Sequence, residues 1–144
     1  MEQSLSGFMR ENFLKKEVVT YIASKKFKDE QGEPISWEIQ VLSNKEVQKI
    51  IDRNTKLSPM NGAVKQYKKE LNSERVYLEM ALKAIIYPNL NDEQLQRFYG
   101  TIGAEDTLKA MLNPGELTDL MLAVQEACGY NVGMKEEIKH VKNC

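Results

Sequence analysis

Residues that commonly carry catalysis or bind metals are scarce in this chain of 144 residues, which holds one histidine and two cysteines. Zinc sites of the usual four-ligand Cys and His kind are therefore excluded, and a Cys–His catalytic dyad is not credible. His140 stands among lysines near the end of the sequence, where a side chain is hard to position rigidly. We expect Cys128 to be a small apolar core residue. The two cysteines, Cys128 and Cys144, form neither a disulfide framework nor a CxxC clamp, which favours a reducing cytosol.

Motifs that bind phosphate or activate a serine are also missing. The sequence contains no GxGxxG, no GxxxxGK[ST] and no GxSxG pattern. Its adjacent acids lie at predicted helix starts or in the tail, where the helix dipole or solvation accounts for them. We therefore predict no catalytic residue, no metal site and no cofactor, and expect that the chain is not an enzyme.

Long apolar runs and a large net charge are lacking as well. No segment approaches the roughly 20 apolar residues of a membrane span, and the first residues do not have a secretory signal pattern. Lysine and arginine number 20 against 21 acids, so no global field attracts nucleic acid or a membrane surface. These properties predict a soluble, cytoplasmic protein without membrane or nucleic-acid partners.

What the sequence does contain is the composition of one folded domain spanning 1–144, with 42% hydrophobic and 28% charged residues. Within it we predict four stretches. An N-terminal helical arm covers 1–16, a β-hairpin covers 17–42, a helical part covers 43–129 and a C-terminal tail covers 130–144. The tail holds a further predicted helix over 134–141.

The hairpin is predicted from a change of period. Residues 18–27 are rich in β-branched and aromatic side chains, and residues 35–41 alternate strictly between apolar and polar. A polar loop with Gly32 and Pro34 separates the two strands. Residues 55–63 are predicted as a loop and residues 64–71 as a third strand.

About five helices are predicted from caps and apolar stripes. Ser43 and Asn113 each stand three residues before a glutamate, the spacing of a capping box. Asn91 is a further predicted N-cap. The apolar segment 74–87 is the expected central core helix, and Pro88 ends it. The predicted fold class is thus α+β, an N-terminal β-hairpin packed on a bundle of about five helices.

Charge and methionine patterning suggest a partner-binding surface. Residues 43–75 carry eight basic side chains against four acids, and residues 91–127 carry two against seven. These two oppositely charged stretches either orient a partner or an identical subunit, or attract each other within one monomer. The methionines on the apolar helix faces either fill the core or line an adaptable groove, and Leu122 is covered by the tail or available to a partner. The predicted partner-binding residues are Met111, Leu112, Met121, Leu122 and Glu126.

Three segments together resemble the XkdN-like tail assembly chaperones of phages and defective prophages. They are the hairpin KKFKDEQGEPISWEIQVLSNKE, the stretch YPNLNDEQLQRFYGTIGAEDTLKAML and the junction NPGELTDLMLAVQEACGY. The resemblance extends from about Phe13 to Tyr130. Its most specific residues are Trp37, Pro88, Gly100 with Gly103, and Pro114-Gly115-Glu116. None of these belongs to a catalytic motif.

The resemblance implies a non-enzymatic protein of the host cytoplasm that binds the tape measure protein and keeps it soluble during assembly. The tail tube protein then displaces it, so it is absent from the mature virion. The family supplies no binding residues to transfer to this chain, and it leaves open whether the chain forms a homo-oligomer. Two alternatives remain: a small phage regulator whose basic stretch from Lys45 to Arg75 binds nucleic acid, or a structural tail or head-completion component.

Overall fold

A three-stranded antiparallel sheet and a set of five α-helices make up most of the computed structural model, which describes residues 3–60 and 66–130. Two short 3₁₀ helices at Ser6–Phe8 and Glu11–Leu14 precede the sheet. The strands are β1 (Val18–Tyr21), β2 (Trp37–Gln40), β3 (Thr55–Pro59), β4 (Tyr67–Leu71) and β5 (Ile85–Tyr87). The α-helices are α1 (Asn44–Arg53), α2 (Ser73–Ala84), α3 (Glu93–Tyr99), α4 (Ala104–Met111) and α5 (Pro114–Ala127). These elements confirm the α+β class.

The central strand of the sheet is β2, paired with β1 on one side and β5 on the other. Strict alternation in the sequence places Trp37 and Ile39 on the same face, and each is only 1% exposed. Ile39 pairs with Val19 of β1 and with Ile85 of β5. The predicted hairpin is therefore confirmed, and its buried face contacts the helices.

The predicted third strand belongs to a different sheet. Strand β4 pairs in register with β3, from Thr55 opposite Leu71 to Pro59 opposite Tyr67, and forms a separate two-stranded ribbon. The prediction of a loop over 55–63 is wrong for the residues of β3. Almost every side chain of the ribbon is exposed, so the sequence lacks the one-sided apolar alternation that identifies a half-buried strand.

The core forms around α2, as the sequence predicts. This helix packs against α5, α1 and β5, and its residues Met80, Ala81 and Ala84 are at most 1% exposed. The helix ends at Ala84, however, and not at residue 87, because the chain turns extended to pair with β2. Pairing with a distant strand overrides a local helical pattern. The remaining fully buried side chains come from the sheet and from the last two helices: Trp37, Ile39, Thr107, Leu108, Leu120 and Val124.

Helix caps follow the predicted spacing with one exception. Both capping boxes form, Ser43 with Glu46 at α1 and Asn113 with Glu116 at α5. Helix α3 starts one residue later than expected, because Asp92 and not Asn91 accepts the hydrogen bond from the amide of Leu95, at 3.0 Å. A carboxylate at this position also interacts favourably with the helix dipole.

We expect the Asn113→Ala substitution to lower the free energy of unfolding by about 1 kcal/mol. Asn113 Oδ1 accepts from the Glu116 amide at 2.8 Å, and the Glu116 carboxylate accepts from the Asn113 amide at 3.0 Å. The matched control is Asn91→Ala, which removes an asparagine that is not an N-cap and should change stability by less than about 0.5 kcal/mol. Urea unfolding of both variants measures the difference, and equal losses would contradict the capping role.

The N-terminal arm differs from its prediction. Its residues form the two short 3₁₀ turns instead of a helix, since Gly7 weakens helix formation and no packing within residues 3–60 and 66–130 offsets that cost. The arm exposes five large apolar side chains, each more than half accessible: Leu5, Phe8, Met9, Phe13 and Leu14. The predicted helix over 134–141, with His140 and Cys144, lies outside the described residues.

Candidate functional site: an apolar groove between α2 and α5

A groove of ≈ 550 Å³ runs between helices α2 and α5. Side chains at helical spacing form its walls, so each helix presents one continuous stripe to it. The lining residues are Glu74, Tyr77 and Leu78 of α2 and Leu117, Thr118, Met121, Leu122 and Gln125 of α5.

A smaller hollow of ≈ 160 Å³ continues this surface toward the end of α5. It shares Tyr77 and Gln125 with the groove and extends to Leu71 and Tyr130. Buried core residues, among them Val76 and Met80, form its floor. The two hollows together make one apolar surface along the α2–α5 pair, which we call the α2–α5 groove.

The groove exposes large apolar side chains that would be expected in a core. Tyr77 and Leu122 are each 41% exposed and Tyr130 is 49% exposed. The rotation of α5 explains this arrangement, because the helix buries Leu120 and Val124 completely against the core. Leu122 follows Leu120 by two residues and therefore lies on the far side of the helix. An exposed apolar patch of this kind is typical of a protein–protein contact surface.

Carboxylates surround the α5 side of the groove. Asp119 and Glu126 lie one turn before and one turn after Leu122, and both are exposed. Glu74 lines the groove from α2. In the parts of the chain that the structure describes, none of these three carboxylates forms an ion pair with a lysine or arginine. The groove is thus apolar at its centre and acidic at its edge.

Comparisons with known proteins place this architecture in a family. The family model described as phage XkdN-like tail assembly chaperone protein matches residues 5–142. The chain belongs to the XkdN-like tail assembly chaperones. Two relatives come from Bacillus subtilis strain 168: the uncharacterized protein YqbN is 25% identical over 140 residues, and the phage-like element PBSX protein XkdN is 24% identical over 140 residues. Each alignment covers 96% of this chain and 93% of the relative.

A solved structure is similar to this family member over most of its length. The crystal structure of the protein YqbN superimposes with a TM-score of 0.71 at 23% identity, covering 90% of this chain and 99% of that one. At this level of identity the similarity establishes the shared fold. The family membership confirms the resemblance inferred from the sequence.

The groove contains two of the five residues predicted for partner binding in this tail assembly chaperone. Met121 and Leu122 line it, and Glu126 is exposed one turn beyond Leu122. Met111 and Leu112 are 4% and 5% exposed and belong to the core. The prediction that they lie on a partner-binding surface is therefore corrected. Helical spacing identifies an apolar face but does not show whether another element covers it. Tyr77 belongs to the segment 74–87 that is predicted as the central core helix, but its side chain is partly exposed, which suits its hydroxyl.

The described parts of this family member contain neither a candidate metal site nor a candidate membrane-spanning helix. Residues 3–60 and 66–130 contain no group of three or more His, Cys, Asp or Glu side chains placed to hold a metal ion. None of the helices within these ranges has the length and apolarity needed to cross a membrane.

The basic and acidic stretches meet within the monomer. Arg75, at the end of the basic stretch, pairs with Glu105 of the acidic stretch at 2.7 Å, and it also contacts Glu79 at 3.3 Å. Lys109 binds the second carboxylate oxygen of Glu105 at 2.9 Å. Hydrogen bonds from Arg75 and then Lys109 lower the pKa of Glu105 to about 2. Ion pairs within one molecule thus neutralise part of the charge difference between the basic and acidic stretches.

We expect the stability of the protein to fall as the pH drops from about 4.5 toward 2, in part through Glu105. A carboxyl whose pKa is lower in the folded state than in the unfolded state stabilises the fold when it is ionised, and this contribution is lost on protonation. The Glu105→Gln variant should be less stable than the unaltered protein at neutral pH, by less than about 1 kcal/mol. The difference should shrink on acidification and be largely gone below pH 2, as measured by urea unfolding at several pH values.

Asp106→Asn is the matched control for this experiment, because it removes a carboxylate from the same turn without breaking either ion pair. It should retain the pH dependence of the unaltered protein. A stability difference between the Glu105→Gln variant and the unaltered protein that stayed constant from neutral pH to pH 2 would contradict the role of the Arg75–Glu105–Lys109 contacts.

Proposed function

We propose that this tail assembly chaperone binds the tape measure protein through the α2–α5 groove and keeps it soluble while the tail tube assembles. The observation that carries the proposal is the apolar surface of exposed Tyr77 and Leu122 and half-buried Met121, held on two helices anchored in the core. Membership of a tail assembly chaperone family supports a partner from the phage tail.

The groove suits an amphipathic helical segment. Helices dock in apolar grooves through side chains spaced by three or four residues, the spacing that both walls of this groove present. Met121 adds a flexible, polarizable side chain that adapts to different partner sequences. Such adaptability is useful to a chaperone that covers several segments of a long partner.

The acidic edge determines the orientation of the bound segment and the selectivity of the contact. Asp119 and Glu126 favour partner segments with basic residues beside the apolar stripe, and they disfavour acidic ones. Contacts at an exposed edge change association rates more than affinity and are screened by salt. We propose a contact of this reversible kind, from which the tail tube protein displaces the chaperone.

The proposed role involves no bond making or breaking. The chain acts by covering apolar surface in the host cytoplasm and leaves the assembly before the virion is mature. Release follows when the tail tube protein competes for the same tape measure segments, because a ligand shifts an equilibrium only through its differential affinity.

Co-expression with the tape measure protein tests the proposal. The soluble fraction of the tape measure protein should rise when this chain is present, and the two should co-purify. If the tape measure protein stayed insoluble and no complex were recovered, the proposal would be wrong. Purified virions should lack this chain, whereas a structural tail component would be found there. A gel-shift assay that showed salt-sensitive nucleic-acid binding would favour the regulator instead.

A further inference from the structure

We propose that two copies of this chain associate by pairing the free edge of strand β1 with itself. Residues 15–21 of one copy run antiparallel to residues 15–21 of the other, and Val18 lies opposite Val18 on a two-fold axis. The contact uses an edge of the sheet and not the α2–α5 groove. It holds whether or not the tape measure protein is the partner of that groove.

Strand β1 forms one edge of the sheet, because the order of the strands is β1-β2-β5. The amide of Val41 donates to the carbonyl of Glu17 at 2.8 Å, so these two residues form a hydrogen-bonded pair of the ladder. Such pairs alternate along an antiparallel ladder, and the backbone groups of Lys16, Val18 and Thr20 therefore point away from β2. Within residues 3–60 and 66–130, no backbone hydrogen bond outside the helices and strands involves these three residues.

The β1 edge lacks the features that keep strand edges from pairing. Val18–Tyr21 contains no proline or lysine and pairs with β2 in unbroken register, and residues 15–20 are all exposed. The opposite edge is protected, since β5 has only three residues, its register with β2 shifts, and Pro88 follows it. A regular, exposed edge strand rich in β-branched residues is a template for pairing with another chain. Of the two edges, β1 is the one that remains able to pair.

The length of the extended stretch determines how two such edges align. Lys15 has extended backbone angles, with φ −86° and ψ 141°, and the pairing with β2 continues to Tyr21. Two antiparallel copies of 15–21 overlap completely only when Val18 lies opposite Val18. In this alignment the outward backbone groups of Val18 meet those of Val18, and the groups of Lys16 meet those of Thr20. The hydrogen bonds are reciprocal, as a two-fold interface requires.

Exposed apolar side chains come together in this alignment. Val18 is 48% exposed in a single copy, and it contacts its counterpart across the two-fold axis. Leu14 and Ile22 are also exposed, and Leu14 of one copy comes next to Ile22 of the other. The association thus covers apolar surface that a single copy leaves in contact with water.

Charges favour the same alignment. It places Lys15 of one copy opposite Tyr21 of the other, on the sheet face that carries the helices. Burial and then the negative charges of Asp119 and Glu116 raise the pKa of Tyr21, so an acidic environment surrounds the position that Lys15 reaches. A pairing shifted by two residues would place Glu17 opposite Tyr21 instead. Repulsion between carboxylates opposes that shift.

The paired assembly carries two α2–α5 grooves. Antiparallel pairing joins the two three-stranded sheets into one continuous sheet, and the two-fold axis is perpendicular to it. The buried faces then point to the same side, so the helices of both copies lie there. For a partner with two docking segments the second binding step is intramolecular, which raises the overall affinity without a new contact. This consequence, unlike the pairing itself, rests on the proposed function of the groove.

Disulfide formation tests the pairing in the full chain with Cys128 and Cys144 replaced by serine. The Val18→Cys variant should form a disulfide-linked dimer under mild oxidation, because its two cysteines lie opposite each other. Thr20→Cys is the matched control on the same strand. Its two cysteines are four residue positions apart, about 13 Å along the strand, so this variant should stay unlinked on a non-reducing gel.

Sedimentation of the full chain with both cysteines retained, at low salt, is the second measurement. The unaltered chain should form a dimer that dissociates on dilution. Lys15→Glu should raise the dimer dissociation constant by about tenfold, because it places like charges together at both ends of the interface. Asp119→Lys should have a similar effect, and combining the two substitutions should restore most of the association. Lys69→Glu, in the separate ribbon, is the control for net charge and should leave the dissociation constant unchanged.

Three results would overturn the proposal. The first is a chain that stays monomeric at every concentration up to its solubility limit. The second is a Thr20→Cys variant that links as fast as Val18→Cys, because the alignment would then be different. The third is a dimer that neither Lys15→Glu nor Asp119→Lys weakens, because another surface would then join the two copies.

Discussion

Replacing Trp37 with alanine should lower the free energy of unfolding by about 3–5 kcal/mol. Trp37 is 1% exposed, lies on the central strand β2 and has its ring 6.2 Å from that of Phe27. Its removal leaves a cavity between the sheet and the helices that the surrounding side chains only partly fill. Since domains are stable by about 5–15 kcal/mol, the variant should unfold at a much lower urea concentration.

Phe98→Ala is the control for this loss, because Phe98 is also aromatic but 79% exposed. Its effect on the free energy of unfolding should be within about 0.5 kcal/mol. Urea unfolding curves of both variants give the comparison. If Trp37→Ala cost less than about 1 kcal/mol, the sheet would not pack on the helices in the way described.

Replacing Leu122 with glutamate should weaken the proposed binding of the tape measure protein by at least about 30-fold, the equivalent of about 2 kcal/mol. The substitution places a charge at the centre of the α2–α5 groove, next to Asp119 and Glu126. Burying that charge against an apolar partner is costly, because no cation of the described groove is there to pair with it. Titration of the purified chain with a soluble tape measure segment measures the change.

Ile102→Glu is the matched control for the groove substitution. It replaces an aliphatic residue of the same size and changes the net charge equally, and Ile102 is 88% exposed in the turn before α4. Binding should be unchanged in this variant, and both variants should unfold close to the unaltered protein. Equal losses of affinity would show that surface charge, and not groove occupancy, controls the contact.

The elements that the sequence predicts well are those that local chemistry determines. The capping boxes at Ser43 and Asn113 satisfy backbone amides within one turn, and they form as predicted. The strand at Trp37 is equally clear, because its alternation fits a sheet with one buried face. These signals do not depend on the rest of the fold.

The elements that the sequence predicts poorly depend on distant contacts. Strand β5 exists because residues 85–87 pair with β2, which is more than forty residues away in the chain. Strands β3 and β4 pair with each other but remain exposed, so no apolar alternation marks them. The arm over 1–16 has a helical apolar spacing, yet the described turns are 3₁₀ because none of the described elements covers that stripe.

The candidate site follows the same rule. Helical spacing placed Met121 and Leu122 on a surface available to a partner, and both line the groove. The same spacing also selected Met111 and Leu112, which the packing of α4 buries. Tyr77 lies in the predicted core helix over 74–87 but is exposed, because the relative rotation of α2 and α5 decides which side of a largely apolar helix is left uncovered.

Site-specific photo-crosslinking tests most directly the claim that this tail assembly chaperone works by covering apolar surface of the tape measure protein. A benzophenone amino acid would replace Leu122 in the groove or, in a second protein, Ile102 outside it. After co-expression and irradiation, position 122 should crosslink to the tape measure protein and position 102 should not. Crosslinks from position 102 alone, or from neither position while the tape measure protein stays soluble, would contradict the account.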